Sequence, residues 1–281
     1  MAILEVKNLN LGFQCEDIFR QALYDVNFAL HKGKMLSLVG ESGCGKTMSA
    51  MSILNLLPKT ARITSGEILY NGENLLLKNN KQMQKIRGGK IALIPQDPMT
   101  SLNPLYTVGE QLLEIIKIHQ NLQGHQAEQK AIEAFESVQI PDAKSRLKNY
   151  PHEFSGGMKQ RAIIAMALAC KAEILIADEP TTALDVTIQA QIMKLLNEIK
   201  INNETSILLI THDLALVSEN ADEIAVMYSG RIVENAPNSE FFNNPQHPYS
   251  KALLKSLPSN RGNKLETIQG QPPSLSQKID G

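Results

Sequence analysis

The front of the chain alternates apolar and polar residues with a period near two. The segments ILEVKNLNLGF (3–13) and ALYDVNFAL (22–30) follow this pattern, which is typical of half-exposed strands. Further on, an Asn71-Gly72 pair lies between short apolar runs, and such a pair is a strong signal for a hairpin turn. The pattern therefore predicts a β-rich, antiparallel front.

Four later apolar runs are short and continuous rather than alternating. Such runs suit strands that are buried on both faces of a parallel sheet. They are MLSLVG (35–40), IALIPQ (91–96), EILIADE (173–179) and SILLITH (206–212). Helix-like segments lie between them, and the alternation of strands with helices predicts an α/β core.

Within 97–155 the apolar residues recur at intervals of three and four positions. Amphipathic stretches at 107–120 and 126–139 show it, and this spacing is typical of helices with one buried face. We interpret the region as a helical insertion between two core strands. After the fourth run, EIAVMYSGRIVENA (223–236) predicts a second hairpin, and PYSKALLKSL (248–257) predicts a terminal helix.

Composition narrows the class of protein. The chain has 281 residues, is 43% hydrophobic and 20% charged, and has a formal net charge of -1, which is an ordinary globular composition. We expect one main domain with insertions or a small subdomain, because this length is near the limit for a single core. The near-neutral charge gives no support for a general nucleic-acid-binding surface.

The cysteines and the apolar runs bear on the compartment. Cys15, Cys44 and Cys170 show no Cys-x-x-Cys spacing, so we expect neither a disulfide framework nor a zinc site, and we expect a reducing compartment. The early charges of MAILEVKNLN do not resemble a signal peptide. The longest apolar run, AIIAMALAC, is shorter than the roughly 20 residues of a membrane helix, so any membrane role is expected to come through a partner.

The strongest chemical motif is GESGCGKT (40–47), directly after the first continuous run. It fits the phosphate-loop pattern G-x-x-x-x-G-K-[ST]. Glycines in this pattern let backbone N–H groups turn inward around phosphate oxygens, and the helix that follows adds its positive dipole end. In this chemistry Lys46 reaches the β- and γ-phosphates, and the Thr47 hydroxyl binds Mg²⁺. The motif predicts that the chain binds a nucleotide.

Polar side chains follow the other three continuous runs. Gln96 follows the second, Asp178 and Glu179 end the third, and His212 ends the fourth. Because ligands bind outside the carboxyl ends of strands in open parallel sheets, we expect these residues to converge on one edge. There Asp178 can hold Mg²⁺, Glu179 can act as general base on water, Gln96 can touch the metal or the water, and His212 can sense the γ-phosphate. Taken singly, a glutamine or histidine at a strand end is more often structural, and the combination with the phosphate loop is what favours the functional interpretation of Gln96 and His212.

Five segments, in this order, resemble the motif set of an ABC transporter ATP-binding subunit. They are GESGCGKT, IPQDPMTSLNP, FSGGMKQR, ILIADEPTTALD and ITHDL. The resemblance extends from residue 4 to about residue 273. QDPMTSLNP, YPHEF, Met158 and HPYSKALLKSLP are similar to the dipeptide/oligopeptide/nickel importer branch of that family.

The resemblance implies a role for each matching residue. Glu179 would be the catalytic glutamate, His212 the switch histidine and Gln96 the Q-loop glutamine. Phe13 matches an aromatic that stacks on adenine in the family, although core packing explains an aromatic at a strand end equally well. The implied ATP-binding set comprises Phe13, Gly40, Glu41, Ser42, Gly43, Cys44, Gly45, Lys46 and Thr47, the signature residues Ser155, Gly156 and Gly157, and Asp185 of the D-loop; the implied metal ligands are Thr47, Gln96 and Asp178.

The resemblance also implies a fold and a domain organisation. We expect an α/β, P-loop ABC-type nucleotide-binding domain with a mixed or parallel core sheet, an N-terminal antiparallel β-subdomain and a helical subdomain. The ATPase domain would span 1–258, with the helical subdomain inserted at about 97–165. Residues 259–281 would be an extension that resembles the start of the oligopeptide-transporter C-terminal region without its cysteine segment.

Two departures from the branch pattern change the expectations. No cysteines follow GQPPSL, so we expect no iron–sulfur cluster, and it stays open whether the natural chain is longer than 281 residues. Cys44 stands where the branch usually has a serine. We expect its side chain to point away from the phosphates and catalysis to survive, with thiol-specific inhibition as a conceivable consequence.

The resulting hypothesis is an ATP- and Mg²⁺-dependent ATPase subunit that powers import of di- or oligopeptides. It would lie on the cytoplasmic face of the bacterial inner membrane. Its partners would be a second, non-identical ABC ATPase subunit, two membrane permeases and an extracytoplasmic solute-binding protein, with no nucleic acid. The signature segment would face the γ-phosphate held by the partner ATPase.

Alternatives stay open at this point. The transported solute could be nickel or a metal chelate, or the system could export peptides or confer resistance to them. A non-transport ABC ATPase is a distant alternative, because the chain carries one cassette and a short insertion without metal ligands. An inactive regulatory ATPase is disfavoured, because Lys46, Glu179 and His212 are all present.

Overall fold

A computed structural model of the chain describes residues 1–16, 18–182 and 184–256, without the side chain of Met99. The predicted extension at 259–281 lies outside the described residues. The strands are β1 Ala2–Cys15, β2 Ile18–His31, β3 Met35–Val39, β4 Ala61–Tyr70, β5 Glu73–Asn74, β6 Ile91–Ile94, β7 Ile174–Asp178, β8 Ser206–Thr211, β9 Glu223–Tyr228 and β10 Arg231–Pro237.

Helices occupy much of the sequence between these strands. The α-helices are α1 Lys46–Ile53, α2 Asn80–Ile86, α3 Pro98–Ser101, α4 Val108–Gln120, α5 Gly124–Ser137, α6 Ala143–Arg146, α7 Gly156–Ala169, α8 Val186–Asn202, α9 Leu214–Asn220, α10 Asn238–Asn243 and α11 Pro248–Lys255. Short 3-10 turns lie at Leu75–Leu77 and Pro151–Glu153. The chain forms two units: Met1–Asn79 with Leu208–Gly281, and Asn80–Ile207.

In the first unit, the front of the chain forms the predicted antiparallel sheet. Its strand order is β2-β1-β4-β5, and β1 pairs antiparallel with both β2 and β4. At the β4–β5 hairpin, Asn71 and Gly72 both have positive φ, at 48° and 82°. Asparagine and glycine adopt this conformation at the lowest cost, which is why the pair predicts the turn.

A second, mixed sheet of this unit carries the strands in the order β10-β9-β3-β8. β9 pairs antiparallel with β10, as the hairpin prediction requires, and also parallel with β3. Every residue of β3 and β8 is buried, as expected for continuous apolar runs. The sequence pattern indicated only the hairpin for β9, whereas the four residues Ile224 to Met227 are fully buried beside β3.

In the second unit, β6 and β7 form a parallel pair, with Ile91 opposite Ile174 and Ile94 opposite Ala177. The amphipathic stretches form α4 and α5, as predicted. Thr107 and Glu110 form a capping box at the start of α4, which satisfies N–H groups that the helix itself leaves without partners. Along the described ranges, none of the helices combines the length and the apolar character needed to span a bilayer.

Candidate functional site

The phosphate loop connects β3 to α1 in the first unit. Gly43 and Gly45 have φ values of 81° and 112°, and residues that carry a side chain rarely adopt this backbone conformation. A Cβ at Gly43 would meet nothing within 4 Å, so backbone conformation alone explains this glycine. Gly45 is the N-cap of α1 and makes no side-chain capping hydrogen bond. The N–H groups of the first turn therefore keep the arrangement that suits an anion.

Lys46 folds back over this loop. Its Nζ donates to the main-chain oxygens of Gly40 and Glu41, both at 2.8 Å, and the residue is only 4% exposed. A buried ammonium needs such acceptors because desolvation of an unpaired charge is costly. The carbonyls hold the charge inside the loop, close to the backbone that would surround a phosphate.

The loop also packs tightly against β9 and the turn that follows it. A Cβ at Gly40 would lie 2.2 Å from the Met227 main-chain oxygen, so only glycine allows this close approach. The Gly230 N–H donates to the Cys44 oxygen at 2.9 Å. Cys44 is buried, its Sγ lies 3.9 Å from Lys46 Nζ, and burial raises the pKa of its thiol.

In the second unit, Glu179 follows β7 and is 8% exposed. Its Oε2 accepts hydrogen bonds from Gln96 Nε2 at 2.9 Å and from Thr182 Oγ1 at 3.0 Å. Its φ is 44°, a left-handed conformation that is uncommon for a non-glycine residue and is frequent at functional sites. Gln96 and Glu179, which the sequence predicts to lie together, are therefore in contact. Thr182 was missed, although its position three residues after Glu179 in EPTT was available as a signal.

Asp178 is the last residue of β7 and is fully buried. Gln96 and His212, which also lie at strand ends, are exposed instead. His212 directly follows β8, and the next residue, Asp213, caps α9 by accepting from the N–H of Ala215 at 2.9 Å. The described contacts place Gln96, Asp178 and Glu179 in the second unit and His212 in the first.

The signature segment begins α7 in the second unit. Ser155 is the N-cap, and its Oγ accepts from the Met158 N–H at 3.3 Å. A Cβ at Gly157 would lie 3.1 Å from Ile188 Cγ2. Asp185 in turn caps α8 by accepting from the Ile188 N–H at 2.9 Å. The predicted signature and D-loop residues are therefore adjacent through Ile188.

Arg161, about one turn beyond Gly157 on α7, is a buried residue of the FSGGMKQR segment for which the sequence pattern predicted no individual role. Its Nη1 donates to the Val138 oxygen and its Nη2 to Gln191 Oε1, both at 2.6 Å. Burial lowers the pKa of its guanidinium. These bonds attach the signature helix both to the loop after α5 and to α8. The sequence signal was its place at the end of FSGGMKQR, directly before the apolar run AIIAMALAC.

Phe13 lies near the end of β1, where it pairs with Arg20 of β2 and Ala61 of β4. It is half-buried. This position fits both core packing and contact with a ligand, so its role in adenine stacking stays a prediction.

Comparison with known protein families bears directly on these motifs. The family described as "ABC transporter" matches residues 23–182, which is more than half of the chain. The chain belongs to the ABC transporter family. A second match, to "Oligopeptide/dipeptide transporter, C-terminal region", covers residues 233–281.

Several curated ABC transporter proteins are similar over nearly the whole chain. A probable peptide ABC transporter ATP-binding protein of Sinorhizobium fredii is 50% identical, over 99% of this chain and 84% of the relative. The dipeptide transport ATP-binding protein DppD of Bacillus subtilis is 48% identical, over 97% and 82%. The oligopeptide transport ATP-binding protein OppD of Escherichia coli is 46% identical, over 98% and 82%.

Solved ABC transporter structures confirm the predicted fold class. The dimeric ATP-binding cassette MJ0796 in a post-hydrolysis state, bound to ADP and Pi, is similar with a TM-score of 0.75 and 26% identity, over 84% of this chain and 98% of that one. The protein cbiO1 of Clostridium perfringens, described as part of the ABC transporter complex cbiONQ, gives a TM-score of 0.74 and 27% identity, over 86% of this chain and 91% of that one.

The residues of this ABC transporter chain suit ATP and Mg²⁺ chemically. The loop from Gly40 to Thr47 offers main-chain N–H groups, positive-φ glycines and one buried ammonium, which is the donor set that phosphates require. Thr47, Gln96 and Asp178 offer hydroxyl, amide and carboxylate oxygens, the ligand types that Mg²⁺ prefers. The described residues contain no cluster of three or more His, Cys, Asp or Glu side chains that could hold a metal ion.

Proposed function

We propose that this chain is the ATP-binding and ATP-hydrolysing subunit of a transporter that imports di- or oligopeptides. The observation that carries the ATPase part is the phosphate loop, in which Lys46, the first residue of α1, is held by the Gly40 and Glu41 oxygens. The solute class is supported by relatives at 46–50% identity that carry peptide transport names. The match of 233–281 to an oligopeptide/dipeptide transporter region supports it independently.

In this proposal, the phosphate loop binds the nucleotide. Lys46 would exchange its carbonyl acceptors for β- and γ-phosphate oxygens, since charge-assisted bonds to phosphate are stronger than bonds to neutral carbonyls. The main-chain N–H groups of residues 42–47 would complete the cradle, and Phe13 would stack on the base. A bound Mg²⁺ neutralises phosphate charge, and Thr47, Gln96 and Asp178 are its proposed ligands.

Hydrolysis would depend on Glu179 as general base. Its carboxylate is buried and fixed by hydrogen bonds from Gln96 and Thr182, and a carboxylate held in one position is suited to accept a proton from water. Gln96 would help to orient the water, and His212 would donate to the γ-phosphate. The contact between Gln96 and Glu179 is the structural support for treating them as one catalytic pair.

The signature segment would act on a second ATPase subunit rather than on the loop of its own chain. Ser155, Gly156 and Gly157 lie at the N-terminus of α7, where Ser155 caps the Met158 N–H, and the positive end of the helix dipole there favours an anion. Asp185, adjacent through Ile188, would belong to the same interface. We propose a non-identical ATPase partner, two permease subunits and a solute-binding protein, with the chain attached peripherally to the cytoplasmic face of the inner membrane. The proposed ATPase domain spans 1–258, with its helical subdomain at about 97–165.

Uptake measurements test the proposed solute. Cells lacking this subunit would be complemented with the wild-type gene or with Glu179→Gln, and uptake of labelled di- and oligopeptides would be compared with uptake of nickel. We expect only the wild type to restore peptide uptake. The Glu179→Gln variant is the matched control because it changes one atom of the side chain and should retain ATP binding.

The same assay separates the alternatives. Restoration of nickel uptake without peptide uptake would support a nickel or metal-chelate importer instead. Peptide accumulation that falls when the wild-type gene is present would indicate an exporter or a resistance system. Full ATP turnover by purified Glu179→Gln would contradict the role of Glu179 as base.

A further inference from the structure

The phosphate loop has a hydrogen-bond partner far away in sequence. The Glu41 N–H donates to the hydroxyl oxygen of Tyr249 at 3.2 Å. Tyr249 lies in the first turn of α11 and is 8% exposed. It belongs to HPYSKALL, inside the segment that matches the oligopeptide/dipeptide transporter C-terminal region. A residue of that C-terminal region therefore touches the loop proposed to bind ATP.

Several contacts fix the position of the Tyr249 ring. The His247 Nδ1 caps α11 by accepting from the Tyr249 N–H at 3.2 Å. The Glu234 carboxylate accepts from the main-chain N–H groups of Gln246 at 2.8 Å and His247 at 2.9 Å. The Tyr249 ring packs against Tyr228, with centroids 4.5 Å apart. An aromatic ring held by its helix cap and by a neighbouring ring is a rigid anchor.

The peptide unit that Tyr249 contacts also holds the lysine. The Gly40–Glu41 peptide donates its Glu41 N–H to Tyr249 and accepts from Lys46 Nζ through its Gly40 oxygen at 2.8 Å, and the Glu41 oxygen accepts from the same Nζ. The tyrosine hydroxyl, Glu41 and Lys46 thus form a continuous chain of hydrogen bonds. Because the Glu41 N–H is engaged by Tyr249, it is not among the N–H groups that face the interior of the loop.

We infer that Tyr249 is a positioning residue for the phosphate loop: its hydroxyl holds Glu41 so that the loop is preorganised for ATP. The inference rests on the proposed ATPase function. A loop that is already ordered loses less conformational freedom on binding, so preorganisation strengthens affinity. Burial raises the pKa of the Tyr249 hydroxyl, so the group stays protonated and neutral at physiological pH.

The test removes the hydroxyl and keeps the ring. Tyr249→Phe in the full chain should raise the Kd for MgATP about three- to tenfold, the effect of losing one hydrogen bond. In the assembled transporter, KM for ATP should rise by a similar factor while kcat is unchanged, because Tyr249 does not contact reacting groups. Titration calorimetry and steady-state ATPase assays measure the two quantities.

Tyr24→Phe is the matched control. The Tyr24 hydroxyl also bonds to the main chain at 3.2 Å, by donating to the Gln21 oxygen in the same unit. Both variants lose one tyrosine hydroxyl and one such bond, so a general loss of stability should affect them alike. An unchanged Kd in Tyr249→Phe, a tighter Kd, or a rise no larger than that of Tyr24→Phe would overturn the inference.

A second variant approaches the same bond from the loop. Glu41→Pro removes the donor N–H, since proline carries none. If the bond is the cause, Tyr249→Phe should add no further increase in Kd to Glu41→Pro, whereas additive increases in the double variant would overturn the inference. Wild-type MgATP binding separates the two proposals: its absence refutes the ATPase function, while binding with no Tyr249→Phe effect refutes the positioning role alone.

Discussion

The helices α1 and α7 both begin with a glycine-containing segment, and the two segments are built differently. α1 begins after Gly45, whose φ is 112°, without a side-chain cap. α7 begins after Ser155, whose hydroxyl caps it, and neither Gly156 nor Gly157 has a positive φ. The first start uses glycine for backbone conformation. The second uses it for close approach, because Gly157 faces Ile188.

The difference shows how similar sequence signals can serve different tasks. At α1, glycines with positive φ and an inward-folded Lys46 produce a loop that can enclose phosphate within its own unit. At α7, the capped helix start has open space beside Gly156, where a Cβ would have its nearest neighbour, Leu184, at 3.9 Å. An enclosing loop fits binding by this chain, and an open helix start fits contact with another subunit.

The largest expected effect comes from truncating Lys46 at the start of α1. Lys46→Ala should weaken MgATP binding by about 100-fold or more, because it removes a buried charge that would pair with phosphate. Lys159→Ala is the matched control, since Lys159 is also a buried lysine, on α7, and should leave the Kd unchanged. Titration calorimetry measures both. An equal loss of MgATP affinity in the two variants would contradict the proposed difference between the starts of α1 and α7.

The second expected effect is on turnover rather than on binding. Substituting both Gly156 and Gly157 with alanine should leave the Kd of the isolated chain for MgATP unchanged and lower ATP hydrolysis by the assembled transporter about 10- to 100-fold, because small displacements of catalytic groups are costly.

Gly156→Ala alone serves as the control for folding, because its Cβ would make only an ordinary contact. Weaker ATP binding by the isolated double variant would show that the start of α7 belongs to the ATP site of its own chain.

A smaller effect is expected from Gly43, the glycine with positive φ in the loop before α1. Gly43→Ala places a Cβ in open space but at a φ of 81°, so only backbone strain is added, about 1–2 kcal/mol. We expect the Tm to fall by about 3–6 °C. Gly156→Ala should lower the Tm less, since its φ is not positive. Calorimetry that ranks the two variants the other way would contradict the conformational role of Gly43.

The smallest expected effect concerns the chemical reactivity of the Cys44 thiol in the loop before α1. Burial raises the pKa of Cys44, so its thiolate fraction at neutral pH is lower than that of an ordinary cysteine. Iodoacetamide should therefore modify the exposed Cys15 first, and the Cys44 rate should keep rising above pH 9. Mass spectrometry locates the adducts. Rapid labelling of Cys44 at pH 7 would show that the loop opens readily.

Much of the fold could be predicted from local patterns. The continuous runs indicated β3, β6, β7 and β8 because strands buried on both faces tolerate few polar residues. The two hairpins were predictable because Asn71-Gly72 and Ser229-Gly230 occupy turn conformations that few other pairs accept. The parallel pairing of β9 with β3 was not predictable, since pairing between distant segments leaves no local pattern.

In the candidate site, too, the residues that belong to a local sequence pattern were predictable and the others were not. The phosphate loop was predictable because its chemistry needs particular residues at fixed spacing. Gln96 and Glu179 were expected at one sheet edge, and they are in contact. Thr182, Arg161 and Tyr249 were missed, because an ordinary threonine, arginine or tyrosine gains significance only from what it touches.

The amino-acid sequence by itself determined the strand and helix types, the hairpin turns, the phosphate loop and the family. These properties depend on residues that are close together in the chain, so local order records them. Only the tertiary structure decided that Glu179 is clamped by Gln96 and Thr182, and that Tyr249 reaches Glu41 across more than two hundred positions. Such contacts depend on where the core places distant elements, and packing of the whole chain is the physical step that sets them.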